Sequence, residues 1–136
     1  MRAIVIGCGR VGSAVARELD AAGWDVIAVD EDEDALGRLG EGWTGGFVVG
    51  HGIDQHLLKE AGIEEAEAVV VSTNGDNTNL VIAQVAQKLF NVPTVVARVL
   101  DPARADFYAE RGVRTICPTS DAIKTLVAAV RAGEPV

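Results

Sequence analysis

The feature that most constrains this chain is its beginning, where an apolar β-rich run, Ala3-Ile4-Val5-Ile6, flows into Gly7-Cys8-Gly9-Arg10-Val11-Gly12 and then into a helical period. A G-x-G-x-x-G turn between a strand and a helix is the phosphate-binding turn of a dinucleotide fold. Gly7 lets the chain turn sharply off the strand, Gly9 without a Cβ lets the backbone approach a pyrophosphate, and Gly12 lets helix and sheet pack closely. The N–H groups of the first helical turn, with the positive end of the helix dipole, then face whatever anion sits there.

With fifteen glycines in the chain such spacings arise by chance, and context separates this one from an ordinary tight turn. A helical period over residues 11–22 carries Val11, Ala14, Val15, Leu19 and Ala22 on its apolar face, with Ser13, Arg17 and Asp20 elsewhere, and Gly23 ends it. A second strand over 25–29, apolar as a parallel strand covered on both faces should be, delivers Asp30 to its C-terminal end. A carboxylate there accepts hydrogen bonds from adenosine ribose hydroxyls and opposes a 2′-phosphate. Glu31, Asp32, Glu33 and Asp34 follow, with no Lys or Arg until Arg38, so NADP(H) is disfavoured. Glu31 joins Asp30 in the candidate site, and Asp32 is the expected N-cap of a short helix over 33–39.

A third strand over 47–49 leads into Gly50-His51-Gly52, after which Asp54 caps a helix that ends at Gly62. His51 is either a solvated turn residue or a contact to the base; His56 is expected to be exposed. Strand four, 68–71, runs into Ser72-Thr73-Asn74-Gly75-Asp76, whose small polar groups face the crevice across the topological switch point, with Asp76 capping a helix over 77–90. That helix is apolar nearly all round, through Leu80, Val81, Ile82, Ala83, Val85, Ala86, Leu89 and Phe90, and needs cover beyond one sheet. Strand five, 94–99, contains Arg98, a charge too costly to leave unpaired, which is expected to reach the crevice or an acid at an interface. Asp101-Pro102 opens a fifth helix, strand six covers 113–116, and a last helix over 120–131 lines up Ile123, Leu126, Val127 and Val130.

Six strands alternating with helices predict an α/β Rossmann fold, a doubly wound parallel sheet of order 3-2-1-4-5-6, formed by one nucleotide-binding domain over 1–136. Twenty acidic against twelve basic residues give a formal charge of −8, which argues against a nucleic-acid partner. Cys8 and Cys117 form neither a disulfide framework nor a metal-ligand spacing, so no metal is expected and the compartment should be reducing. No apolar run approaches the ~18 to 20 residues that span a bilayer, so the chain is not expected to insert in a membrane itself.

Taken together, residues 6–12, Asp30, the run 72–79, Ala97-Arg98-Val99 and the run 112–119 with its Cys117-Pro118 closely resemble the RCK or KTN-type domain, the TrkA N-terminal domain of potassium uptake systems and ligand-gated potassium channels, over nearly the whole length. The resemblance implies a cytoplasmic regulatory subunit, peripheral to the inner face of the cell membrane, that binds NAD(H) or ATP, ADP or AMP and biases a membrane potassium transporter or channel. It implies that Gly7, Cys8, Gly9, Arg10 and Val11 hold the phosphates, with Gly12 in the same cofactor-binding turn, Asp30 the ribose, and that Thr73, Asn74 and Arg98 line the crevice, with Arg10 near a terminal phosphate. It also implies homodimers or higher rings and no catalytic residue. Two departures stand out: Gly50-His51 replaces the family's usual Gly-Asp, and the C-terminal lobe of many relatives is absent, so this is either a single-domain member or a piece of a longer chain. The contrasting reading is the cofactor domain of an NAD-dependent oxidoreductase, which would need a substrate site and a proton donor beside the nicotinamide half; neither is evident in the sequence.

Overall fold

A computed structural model describes residues 1–135. The strands β1 (Arg2–Ile6), β2 (Asp25–Asp30), β3 (Gly46–Val49), β4 (Ala68–Val71), β5 (Thr94–Arg98) and β6 (Arg114–Ile116) form one sheet, ordered β3-β2-β1-β4-β5-β6. Every pairing is parallel, with Ile4 opposite Ile27 on one side and Val69 on the other. This is the expected Rossmann order.

Successive strand residues point to opposite faces, and β1 divides its side chains accordingly. Ile4 and Ile6 enter the larger core with Leu57, Leu58, Leu80 and Ile82, while Val5 enters the smaller one with Ala16, Val26, Ala28 and Leu39. The helices α1 (Arg10–Ala21) and α2 (Ala35–Leu39) supply the smaller core, and α3 (Gln55–Glu60) and α4 (Asp76–Gln84) the larger. Further along the chain, α5 (Pro102–Ala109) packs by Ala105, and α6 (Pro118–Arg131) buries no side chain. Among the described residues no helix is long and apolar enough to cross a membrane.

Four local expectations are corrected. The residues that α1 buries fully are Gly12, Ser13 and Ala16; Val15 and Leu19 of the expected face pack half-buried against the smaller core, while Val11 and Ala22 are exposed. The reason is close approach: a Cβ on Gly12 would lie 1.7 Å from the Gly7 carbonyl oxygen, so the helix rests on its glycine ridge, and Ser13 is tolerated because its Oγ donates to Gly9 O at 2.6 Å. Second, α2 starts at Ala35 rather than 33, and Asp32 accepts from the Asp34 N–H (2.9 Å) in the turn before it instead of capping the helix. Third, Asp76 does not cap α4; its carboxylate accepts from the backbone N–H groups of Leu100 (2.8 Å) and Asp101 (3.0 Å), across the sheet top. Fourth, α4 gives way after Gln84 to a π-turn over Val85–Leu89, and its own chain covers Leu80, Ile82, Ala83 and Ala86, leaving Val81 and Leu89 exposed.

Other expectations hold. Asp54 caps α3 by accepting from the N–H groups of His56 and Leu57, Gly62 ends that segment at φ +86°, and Asp101 caps α5 through Ala103 N.

Candidate functional site

The C-terminal ends of β1, β2 and β4 open onto a cavity of about 590 Å³, within the size range of small-molecule sites. Gly7, Cys8, Gly9, Arg10, Asp30, Glu31, His51, Thr73 and Asn74 all line it; Val11, Gly12 and Arg98 do not.

The glycine turn forms its floor. Gly7 has φ +91°, and a Cβ there would fall 2.6 Å from Thr73 N, so this position joins the first turn to the β4 loop. A Cβ on Gly9 would meet nothing within 4 Å, so the chain's own packing does not require glycine at this cavity-lining position. The first helical bond of α1 runs from Ser13 N to Gly9 O (3.0 Å), so the helix does not use the amides before it. Its N-cap, Gly9, carries no side chain and its first turn no acid, so the positive end of the dipole is left for an outside anion.

Asp30 is held by that turn. Its Oδ2 accepts from Cys8 N (2.7 Å) and its Oδ1 from Asp32 N (2.9 Å), which aims the carboxylate and leaves each oxygen further acceptor capacity. Cys8 contributes only its backbone. Its thiol points into the core, toward the carbonyls of Val5 and Val29, and burial first and the Asp30 charge second push its pKa up to about 12. A thiol so placed is inert toward nucleophilic chemistry.

Beyond Asp30, His51 Nε2 lies 2.7 Å from Glu31 Oε1 while His51 Nδ1 accepts from Ile53 N (3.3 Å). The imidazole therefore bridges the ends of β2 and β3 along the cavity's acid end. His56 is exposed, as expected.

At the other end, Ser72 Oγ donates to Gly7 O at 3.0 Å. Arg98 neither enters the cavity nor meets an acid; its Nη2 donates to the carbonyls of Thr73 (2.9 Å) and Ser72 (3.3 Å), which are stronger partners for a guanidinium than for a neutral donor. Its Nε is buried without a hydrogen-bond partner.

Two residues not singled out as site candidates in the sequence take part in this arrangement. Arg38, noted there only as the first basic residue after the acids, lines the cavity: its Nη1 donates to Cys8 O (3.2 Å) and its Nη2 stands 3.9 Å from the Asp32 carboxylate. Only the short turn of α2 brings it back, which no local pattern announces. Asn79, 1 % exposed, uses both ends of its amide: Oδ1 accepts from Thr73 N (3.0 Å) and Thr73 Oγ1, and Nδ2 donates to Thr73 O (3.1 Å) and Arg98 O (2.8 Å). A signal existed for it, since Asn79 falls on the same helical spacing as Ile82, Ala83 and Ala86, a polar residue on the inward stripe.

A model of the TrkA-N domain matches residues 3–118, a span that takes in the glycine turn, Asp30, the β4 loop and Cys117-Pro118. The chain belongs to the TrkA-N family. This TrkA-N chain is 45% identical over 116 residues to the Trk system potassium uptake protein TrkA of Streptomyces coelicolor, covering 85% of this chain and 52% of that protein. It thus spans about half the length of that relative. Among solved structures, the AMP-bound Kef CTD of Shewanella denitrificans superposes with a TM-score of 0.80 at 25% identity, over 98% of this chain and 83% of that one. GsuK bound to ADP gives a TM-score of 0.80 at 25% identity, over 98% and 34% of the two chains, and the GsuK channel bound to NAD gives 0.76 at 26%, over 92% and 22%.

Proposed function

We propose that this TrkA-N chain is the nucleotide-sensing regulatory part of a potassium uptake system or channel, binding NAD(H) or an adenine nucleotide and passing its occupancy to a membrane partner. The observation that carries the reading is the glycine turn, where the N–H groups ahead of the first helical bond are not used by α1 and Gly9 presents no side chain to the cavity, opposite an aimed carboxylate, Asp30. In this reading the amides around Gly9 and Arg10 hold the phosphates, Arg10 reaches a terminal phosphate, and Asp30 takes the ribose. Glu31 and His51 border the adenosine, and Thr73 and Asn74 border what lies past the first phosphate. Val11, Gly12 and Arg98 act from behind, shaping the turn and the β4 loop.

Asp30, Glu31 and Asp32 line the cavity beside Arg38, and the Asp32 carboxylate stands 3.9 Å from its guanidinium, which supports the reading that the acid end disfavours a 2′-phosphate and with it NADP(H). The AMP, ADP and NAD held by the structural relatives support the choice of ligand. The uptake-protein name of the Streptomyces relative supports the choice of system. Homodimers or higher rings on the cytoplasmic side of the membrane follow from the same reading, with the bare face of α6 available for assembly.

Thermal shift with AMP, ADP, ATP, NAD, NADH and NADPH tests the binding, because a ligand of the native state raises the melting temperature. NADPH should shift least, and absence of any shift overturns the proposal. Absorbance at the nicotinamide band with candidate carbonyl substrates separates a binding module, which consumes no NADH, from an oxidoreductase cofactor domain. Gating also demands differential affinity between two states of the assembly, since a ligand that binds both equally shifts nothing.

A further inference from the structure

We infer that Asn79 is a positioning residue that sets how well the site holds the part of a ligand beyond its first phosphate, and that Arg98 shares this task through the same Thr73 carbonyl. The inference rests on the nucleotide-binding reading above.

In sheet order the cavity runs from the ends of β3 and β2, with His51, Glu31 and Asp30, across the glycine turn of β1 to the β4 loop, residues 72–75. A nucleoside seated on Asp30 with its first phosphate on the turn therefore extends toward Thr73 and Asn74. Neither Asn79 nor Arg98 lines the cavity, so neither contacts the ligand itself.

Each instead holds the loop that does. The Asn79 amide closes a ring of bonds on Thr73 through N, Oγ1 and O, and fastens it to β5 through Arg98 O. Thr73 Oγ1 accepts in turn from Gly75 N (3.3 Å), so the hydroxyl of this cavity-lining residue is oriented by Asn79 and the tip at Asn74 is bracketed on both sides. Arg98 holds the outward carbonyls of Ser72 and Thr73. Asp76 then ties the start of α4 to Leu100 and Asp101 N–H, so the loop is clamped to the β5–α5 turn as well. A buried amide with all its bonds satisfied rigidifies what it touches, and one lost partner leaves several groups unpaired at once.

The test compares ligands of graded length on the whole chain by calorimetry: AMP, ADP and NAD, with Asn79→Asp and Arg98→Met. Asn79→Asp keeps the acceptor for Thr73 N and Oγ1 and removes both donated bonds; Arg98→Met keeps the unbranched stem and removes the donors. The expected result is about tenfold weaker binding of ADP and NAD, the equivalent of one or two net hydrogen bonds, with AMP within about twofold of wild type. A role confined to stability would lower all three affinities together, or none, and either outcome overturns the inference. Should Asn79→Asp fail to fold by circular dichroism, Arg98→Met decides alone, because Arg98 is only half-buried and its Nε already lacks a partner. If wild type binds none of the three ligands, the nucleotide reading itself fails; an equal loss in the variants with normal wild-type binding overturns only the positioning role.

Discussion

The first helix and the last make an instructive pair. Both are amphipathic by sequence, and both follow a strand of the same parallel sheet. Yet α1 buries Gly12, Ser13 and Ala16 against the turn it grows from, whereas α6 leaves Ile123 53 %, Leu126 67 % and Val130 79 % exposed. The difference lies in the side chains nearest the sheet. Glycine at 12 lets α1 approach until the helix and the Gly7 carbonyl are in contact, and the short Ser13 closes its hydroxyl on Gly9 O. Branched residues line the apolar stripe of α6, and β6, three residues long, offers an edge rather than a face. An apolar stripe thus declares that a helix face is to be covered; whether the chain's own sheet does the covering depends on the strand within reach, which for α6 is the short edge strand β6.

The comparison breaks first at Gly12. Gly12→Val would drive a branched Cβ into the Gly7 carbonyl, and we expect a loss of about 3 kcal/mol or more in unfolding free energy, read from urea midpoints. A variant of wild-type stability would mean that α1 is not seated by close contact. Gly9, a few residues before it, separates fold from function: Gly9→Asp has open space for its Cβ, so melting should stay near wild type while affinity for ADP or NAD falls at least about a hundredfold, since a carboxylate then opposes the phosphates. Retained binding would move the phosphates elsewhere.

Asp30→Ala should weaken adenosine ligands about tenfold. Because the carboxylate also accepts from Cys8 and Asp32 N–H, it should also cost about 1–2 kcal/mol of stability. Affinity and urea midpoint measured on one preparation resolve the two effects. At the other end of the chain, Leu126→Glu should convert an assembled species to monomers in light scattering while changing monomer stability by less than about 0.5 kcal/mol. A wild-type particle that is already monomeric at high micromolar concentration would show that the bare stripe is not an assembly face.

The last effect appears only at alkaline pH and concerns Cys8, buried in the smaller core. Its folded-state pKa, about 12, lies above the ordinary 9.0, so its contribution to stability is complete below pH 9 and is lost as pH rises toward 12. Urea midpoints between pH 8 and 10.5 should fall less steeply for Cys8→Ala than for wild type. Equal slopes would mean that the thiol ionises as freely in the fold as outside it.

The sequence by itself determined the strand order, the placing of the glycine turn before a helix, and the delivery of Asp30 to a strand end, because these follow from periodicity, glycine stereochemistry and the handed geometry of parallel crossovers, all of them local or nearly so. Only the tertiary structure decided which groups meet above the sheet. Asp76 looked like a cap and instead serves a turn that follows two segments later; Arg98 looked destined for the crevice and found carbonyls behind it; Arg38 and Asn79 acquired roles that their neighbours in sequence do not suggest. Each of these side chains finds its hydrogen-bond partners among backbone groups of another segment. Such partners have no address in the sequence, because the loops come within hydrogen-bonding distance only after the strands between them have paired.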